Sequence, residues 1–453
     1  MLERGARCET EQRAERVPIT VTSGQHRAPT RWGGSGTVLV LMASVTVLNV
    51  MDRQLLAVLI EPIKQELGAS DAAMGLLTGT SFALMHVFAT IPIAIWADRG
   101  VRRSIIAMGL AFWSGLTVLT GFARSFGEIF LIRVGVGVGE ATGGGPAQSF
   151  LSDAFPPERR ATALAVLVMG GPLGSMVAFA AGGWLGDTFG WRTAFVVFGA
   201  PGLLLALLIR GVLREPERRA HDGIHDAGAA IPFAPAARFL AGVPAIRNFI
   251  LASGLQTVGI YAILVWAVPY LGRVHGLSAS EAGLRLAIAS GLFTALGTLA
   301  GGPLADRLAA RDPRWLAWLP AITATLVLPF GVAFALAPDG DVASLMLAPA
   351  SFMAGTFFGP VFSAVQTLAA PRTRALAASM TTAANTILGL GLAPPLVGLM
   401  NDLGAASYGS ESIRYSLAGL MIVHLGAALL LWRASTTLPT DLLAQARFEE
   451  RAG

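Results

Sequence analysis

The sequence predicts an all-α membrane protein of twelve transmembrane helices, arranged as two pseudo-symmetric six-helix bundles. Three observations carry that expectation: a shortage of charge, twelve apolar runs of spanning length, and an internal repeat that divides them six and six.

Of 453 residues, 54% are hydrophobic and only 13% charged. An average soluble domain carries about 25% charged residues. A globule of this size needs more charge than that to cover its surface, so lipid must be the solvent for much of the outside. The net charge is +5 and the isoelectric point near 10.1. The arginines fall in short clusters between apolar runs and not on one basic stripe, so no nucleic-acid partner is expected and the clusters read as cytoplasmic loops. The single cysteine, Cys8, excludes an intramolecular disulfide and a thiolate metal site. The first 36 residues mix Arg4, Arg7, Arg13 and Arg16 with Glu3, Glu9, Glu11 and Glu15, and no short apolar core with a cleavage site follows. They read as a polar tail and not a signal peptide.

A span needs about 20 mostly apolar residues. Candidate spans run over 37–60, 72–96, 104–123, 128–151, 161–186, 192–211, 248–271, 279–304, 315–337, 342–367, 374–400 and 413–433. The longest polar break, 212–247, contains Pro216, Pro232 and Pro235. The expected organisation is therefore an N-terminal tail (1–36), a first bundle (37–211), an inter-domain linker (212–247), a second bundle (248–433) and a C-terminal tail (434–453). Within the linker, 231–246 reads either as a short helix on the membrane surface or as a flexible tether.

Alternate loops carry Arg99, Arg102 and Arg103; Arg159 and Arg160; Arg214, Arg218 and Arg219; Arg307, Arg311 and Arg314; Arg372 and Arg374. The other loops carry mainly acids or single bases. The basic set is expected to be cytoplasmic, which places both tails inside the cell and the chain in the cell (inner) membrane.

The repeat lies in two of those loops. After the second span comes Ala94-Ile95-Trp96-Ala97-Asp98-Arg99-Gly100-Val101-Arg102-Arg103, and after the eighth comes Gly302-Pro303-Leu304-Ala305-Asp306-Arg307-Leu308-Ala309-Ala310-Arg311. Both follow G-x-L-A-D-R-x-x-x-R, with Ala94 and Trp96 as departures. Two such loops at matched positions imply two parallel halves, a known transporter arrangement. The loops resemble the signature that follows the second and eighth helices of the major facilitator superfamily. Gly170-Gly171-Pro172-Leu173-Gly174 in the fifth span resembles that superfamily's exporter signature in incomplete form. The loop residues Asp98, Arg102, Asp306 and Arg307 are expected either to gate the cytoplasmic side or only to enforce topology. In the gating reading, each Asp meets a helix N-terminus of the other half, where unpaired N–H groups favour negative charge: Asp98 near Arg372 and Arg374, Asp306 near Arg159 and Arg160.

Charges deep in a span are functional candidates by default. The first span holds Asn49, Asp52 and Arg53, and the fourth holds Arg133 and Glu140. At ~1.5 Å rise per residue, Asp52 and Arg53 lie roughly 12–14 Å from the outer end and Asn49 about 18 Å, while Arg133 lies about 8 Å and Glu140 about 18 Å below it. The two sets share a layer and are placed to pair across helices. Arg133 and Glu140, two turns apart, share a helix face, and Gly135, Gly137 and Gly139 between them permit another backbone to approach. Those glycines lack dinucleotide-loop spacing and follow no strand. The set reads either as a self-neutralising packing device or as a coupled site, with Glu140 and Asp52 carrying protons and Arg53 and Arg133 meeting an anionic head or acting as gate contacts.

Together with Phe112-Trp113-Ser114, Ala141 and Pro146, these residues resemble the Spinster branch, which includes transporters of sphingosine phosphate and lysophospholipids. The resemblance identifies the chain as similar to bacterial members, and it implies proton dependence and roles in coupling or substrate contact for Asp52, Arg53, Arg133 and Glu140. The central spans of the second half hold few acids but many apolar or aromatic candidates, Tyr261, Trp266, Met353, Phe357, Phe358 and Phe362, which read either as an oily cavity wall or as residues facing lipid or packed between helices; Tyr261 and Phe357 are taken as substrate-binding or gating candidates. Gln256, Thr356 and Asn385 add neutral polarity. His86 and His424 are single histidines with no second metal ligand nearby, so no metal site is expected, and His424 reads as structural. No catalytic motif appears.

The expected function is proton-coupled transport of an amphipathic anion, such as a lysophospholipid or a sphingosine-phosphate-like lipid, by alternating access. The alternative is a proton-coupled organic-anion carrier or multidrug exporter. The expected partners are membrane lipids, protons and an amphipathic small molecule, with no cofactor beyond the proton gradient and a monomeric chain.

Overall fold

The computed structural model describes residues 34–216, 233–369 and 373–452. Most of the N-terminal tail, the linker stretch 217–232 with Arg218 and Arg219, and Arg372 lie outside the described residues. Among the described residues, ten helical stretches are long and apolar enough to cross a membrane. The chain runs α1 (Gly36–Val58), α2 (Asp71–Arg99), α3 (Arg102–Thr120), α4 (Phe126–Glu140), α5 (Thr162–Phe189), α6 (Trp191–Val212), α7 (Pro244–His275), α8 (Ala279–Ala309), α9 (Trp315–Ala335) and α10 (Gly340–Leu368). It continues as α11 (Arg374–Ala384 extended by Ala393–Tyr408) and α12 (Ser412–Leu420 extended by Val423–Ala452).

Two of these depart from a simple count. Residues Leu376–Leu442 form one long helical stretch, but Gly409 takes a φ of 56°, a region open to glycine at little cost, and α11 and α12 pack back to back across it. The fourth leg is broken by the turn Ala141–Gly143 before helix resumes over Gly145–Ala154, with Pro146 in its first turn. Twelve legs result.

Local chemistry sets the ends. Ser125 accepts a hydrogen bond from the Glu128 N–H, Ser278 and Glu281 form a reciprocal capping box, and Asp339 accepts from the N–H groups of Asp341 and Val342. α7 exceeds the 248–271 predicted for it at both ends, starting at Pro244, suited to a first helical turn, and stopping at Gly276, whose φ is 68°. Segments of α2 (Leu76–Thr80), α8 (Ala287–Leu292) and α11 (Asn385–Leu392) widen to π-helical turns, a local distortion common at functional sites. Large apolar side chains such as Phe88, Leu131, Leu207, Leu403 and Leu429 point outward, as lipid requires.

The linker contributes one helix, Phe233–Gly242. Its Leu240 is fully buried against Ala245, Ile246 and Phe249 of α7 and the C-terminal core, so this helix is anchored to the second bundle. A second buried cluster crosses the boundary between halves and includes Leu55 and Leu59 of the first and Trp266 and Leu390 of the second.

Candidate functional site

Asn49 and Arg53 are one turn apart on α1 and share a face; the Arg53 Nη2 donates to the Asn49 Oδ1. Arg53 also forms an ion pair with Glu140 of α4, Nε to Oε2 3.1 Å. The neighbouring Asp52 turns the other way. Its Oδ2 meets the Arg133 Nη1 at 3.1 Å, and its Oδ1 accepts from the Thr117 hydroxyl of α3 at 2.6 Å. The two predicted sets are thus joined as two ion pairs, Arg53–Glu140 and Asp52–Arg133. Phe82 of α2 lies between them, its ring centroid 5.3 Å from the Arg53 Cζ and 5.4 Å from the Arg133 Cζ. A guanidinium over an aromatic face is stabilised by the ring quadrupole, more so when desolvated. Gly137 makes this approach possible, because a Cβ there would stand 2.7 Å from the Phe82 carbonyl oxygen.

The pairs differ in access. Asp52 and Arg133 are almost fully buried. The Arg53 side chain keeps 23% exposure and, with Asn49, His86 and Glu140, lines a central cavity of about 530 Å³. The opposite wall comes from the second bundle: Tyr261, Ser290, Ser351, Phe358, Phe362 and Asn385 among others. Tyr261 lines the cavity. Phe357 does not: it is fully buried within the second bundle, its ring edge-on to Phe358 at 5.5 Å. Successive helix positions differ by about 100°, so Phe358, one residue on, takes the cavity side.

The loop residues are spread out. Asp98, Asp306 and Arg307 are exposed at the end of the molecule that carries the termini. Arg102 is instead buried inside the first bundle. It donates to the Ser149 Oγ and carbonyl, pairs with Asp153, and reaches Glu215 at 2.8 Å. It therefore ties the start of α3 to the helix after α4 and the end of α6, within one half. Of the partners expected for Asp98, Arg372 lies outside the described residues and Arg374 donates to the Gln366 carbonyl of its own half.

At the far end, ion pairs and caps cross between the halves. Arg273, at the end of α7, bonds to Glu61 and Asp71 of the first half, while Lys64 and Asn401 also bond to Asp71. Asp402, at the end of α11, accepts from the N–H groups of Asp71 and Ala72 at 3.1 and 2.8 Å, capping α2. Asp187, near the end of α5, accepts from the Ser280 N–H at 2.6 Å, capping α8. These two caps are counterparts under the pseudo-symmetry, each carboxylate at the start of a helix in the opposite half, where the dipole favours it. Gly398 allows the contact, since a Cβ there would lie 2.2 Å from the Asp71 carbonyl oxygen. These ties hold the two halves together at this end, beyond the cavity.

Composition and loop charge carry no signal for Thr117, Phe82, Arg273, Asp71, Asp187 or Asp402: each is an ordinary residue of a span or loop until a second helix meets it. The seal yields an expected result. With Cys8→Ser and Ser290→Cys in the background, a membrane-impermeant thiol reagent labels position 290 from the termini side alone. Adding Arg273→Ala with Asp402→Asn removes ties worth about 1 kcal/mol or more each and opens labelling from the far side; unchanged sidedness would rule the seal out. Nearby, Glu66 accepts from the Arg192 guanidinium at 2.6 Å and the Trp191 indole N–H at 2.7 Å. Those bonds, Arg192 first, hold its carboxyl below the usual range. The pairing persists above the ordinary carboxylate pKa of about 4.3 and is lost only as pH falls through the lowered folded value. Trp191 emission should shift in that acid window and not in a Glu66→Gln variant.

The model of the Major Facilitator Superfamily matches residues 42–395. An MFS-type efflux pump of Mycolicibacterium smegmatis is 33% identical over 439 residues, covering 96% of this chain and all of that protein. A chloroplastic ascorbate transporter of Arabidopsis thaliana is 28% identical over 62% of this chain, and the chain spans 53% of its length. Among solved structures, a bacterial homologue of the human lysosomal transporter Spinster, in an inward-facing and unoccupied conformation, superposes with a TM-score of 0.83 at 30% identity, covering 90% of this chain and 98% of that one.

Proposed function

The chain belongs to the major facilitator superfamily as a Spinster-like member, a multi-pass membrane transporter and not an enzyme, and from that premise we propose that it moves an amphipathic anion by proton-coupled alternating access. One observation carries this reading: the Arg53–Glu140 pair stands on the cavity wall, facing a second wall that holds Phe358 and Phe362. Arg53 stays charged and presents a planar fork suited to carboxylate or phosphate. An anion that engages Arg53 competes with Glu140 for it. Glu140 is fully buried, and a buried carboxylate that loses its cation is costly unless it takes a proton. Substrate and proton thereby bear on one guanidinium, which is the requirement for coupling. Asp52 and Arg133 hold α1 against α4 behind that pair. The oily side of the cavity suits a chain such as that of a lysophospholipid or sphingosine-phosphate-like lipid. We place the termini in the cytoplasm and the chain in the inner membrane, with the proton gradient as its energy source and the monomer as its working unit. Likeness to an efflux pump supports outward movement.

A second reading, a carrier of a water-soluble hydroxylated acid, is favoured by Ser290, Ser351, Thr382 and Asn385 on the same wall. The test is reconstitution into liposomes with an imposed pH gradient and two substrate arms, lysolipids and sugar acids. Gradient-driven flux of a lysolipid supports the first reading and flux of a sugar acid the second. Flux of either that ignores the gradient removes proton coupling.

A further inference from the structure

The second bundle holds a buried polar pair that neither the charge pairs nor the seal uses. His424 of α12 and Gln256 of α7 are both fully buried, and the His424 Nδ1 lies 2.8 Å from the Gln256 Oε1. An amide oxygen only accepts, so the Nδ1 carries the hydrogen, and the neutral ring then presents its Nε2 as a bare acceptor. That Nε2 has no hydrogen-bond partner among the described residues, nor has the Asn385 Oδ1. Leaving a buried polar atom unmade costs about 1–3 kcal/mol, and such atoms in a native fold call for an explanation. Here the cavity supplies one, because His424, Gly259 and Asn385 all line it. Gly259 lets the ring edge come up to the α7 backbone at the cavity wall: a Cβ at that position would stand 2.2 Å from the Nε2. Two unmet acceptors therefore share the cavity with Arg53, which stands on the opposite wall.

We propose that His424, set by Gln256 and reached past Gly259, is a second recognition point in the cavity that accepts a hydrogen bond from a hydroxyl or N–H group of the transported anion. The proposal rests on the transport reading above and deepens it. The ligand is an anion that meets Arg53 with its charge and carries a separate hydrogen-bond donor for the second bundle. A lipid headgroup and a soluble hydroxy acid both offer that chemistry. Engaging both walls at once would also draw the two halves together, which alternating access requires.

The test is calorimetric binding to the full chain in detergent, using two matched pairs: lysophosphatidic acid with its 2-deoxy analogue, and 6-hydroxyhexanoate with hexanoate. In at least one pair the wild type binds the hydroxylated member about tenfold more tightly, the worth of one buried hydrogen bond; which pair responds distinguishes lipid from soluble acid. His424→Phe keeps the ring's bulk without its acceptor and brings the hydroxylated member down to the affinity of its partner, whose own binding is unchanged. Gly259→Ala, whose Cβ would stand 2.2 Å from the Nε2 and so displaces the ring, removes the same preference by a different route. Equal binding of both members by the wild type overturns the proposal while leaving anion transport standing. So does a uniform loss for both members in His424→Phe and Gly259→Ala, which marks a structural histidine. If the wild type binds no member of either pair, the amphipathic-anion reading falls and the proposal with it.

Discussion

Arg133→Met is expected to destabilise the N-terminal bundle by about 3–5 kcal/mol, the usual consequence of stripping a buried charge of its partner. Asp52 is 4% exposed, and apart from Arg133 it draws on the Thr117 hydroxyl, while the neighbouring Glu140 carboxyl adds no compensating charge. A single neutral donor does not compensate a carboxylate in this interior. The same argument makes the double variant Asp52→Asn/Arg133→Met far milder than Arg133→Met alone, because removing both charges of a buried pair is often close to neutral. Thermal unfolding in detergent checks both. Equal losses in the single and double variants would mean that the pair's charge is irrelevant and that only its packing counts.

The second large effect falls on function. Glu140→Gln keeps the shape of the side chain on the cavity wall and removes its capacity to hold a proton or attract Arg53. Flux driven by a pH gradient should fall to background in liposomes, while exchange of labelled for unlabelled substrate across the same membrane persists. Loss of both together would place Glu140 in substrate binding alone, and retained gradient response would move the proton elsewhere. Arg53→Lys is expected to weaken binding of the anion with little effect on stability, since the ammonium keeps the charge but not the two-pronged geometry. Comparing the affinity of that variant with the melting behaviour of Arg133→Met separates the accessible pair from the buried one.

The twelve legs were legible because each needs a long apolar run, and a shortage of charge leaves no other solvent for them. The layer shared by Asn49, Asp52, Arg53, Arg133 and Glu140 was legible too, because rise per residue converts sequence position into depth. Which acid pairs with which arginine was not. Asp52 and Arg53 are adjacent, and about 100° of helix rotation sends one behind the bundle and the other into the cavity. The same rotation separates Phe357 in the core from Phe358 on the wall. His424 read as an isolated structural histidine, since its neighbour in space, Gln256, is far away in the chain.

The far-end seal shows the limit most plainly. Arg273, Asp187 and Asp402 look like loop charges because their partners belong to the opposite half. By itself the sequence determined that the chain spans a membrane twelve times, repeats as two halves, and keeps charge at one depth: solvent, helix geometry and the cost of burying charge act locally, along a single helix. Only the tertiary structure decided which charges face the cavity, which merely brace α1 against α4, and which end is closed. Those depend on contacts between helices remote in sequence, and a residue's own neighbours in the chain contain no record of them.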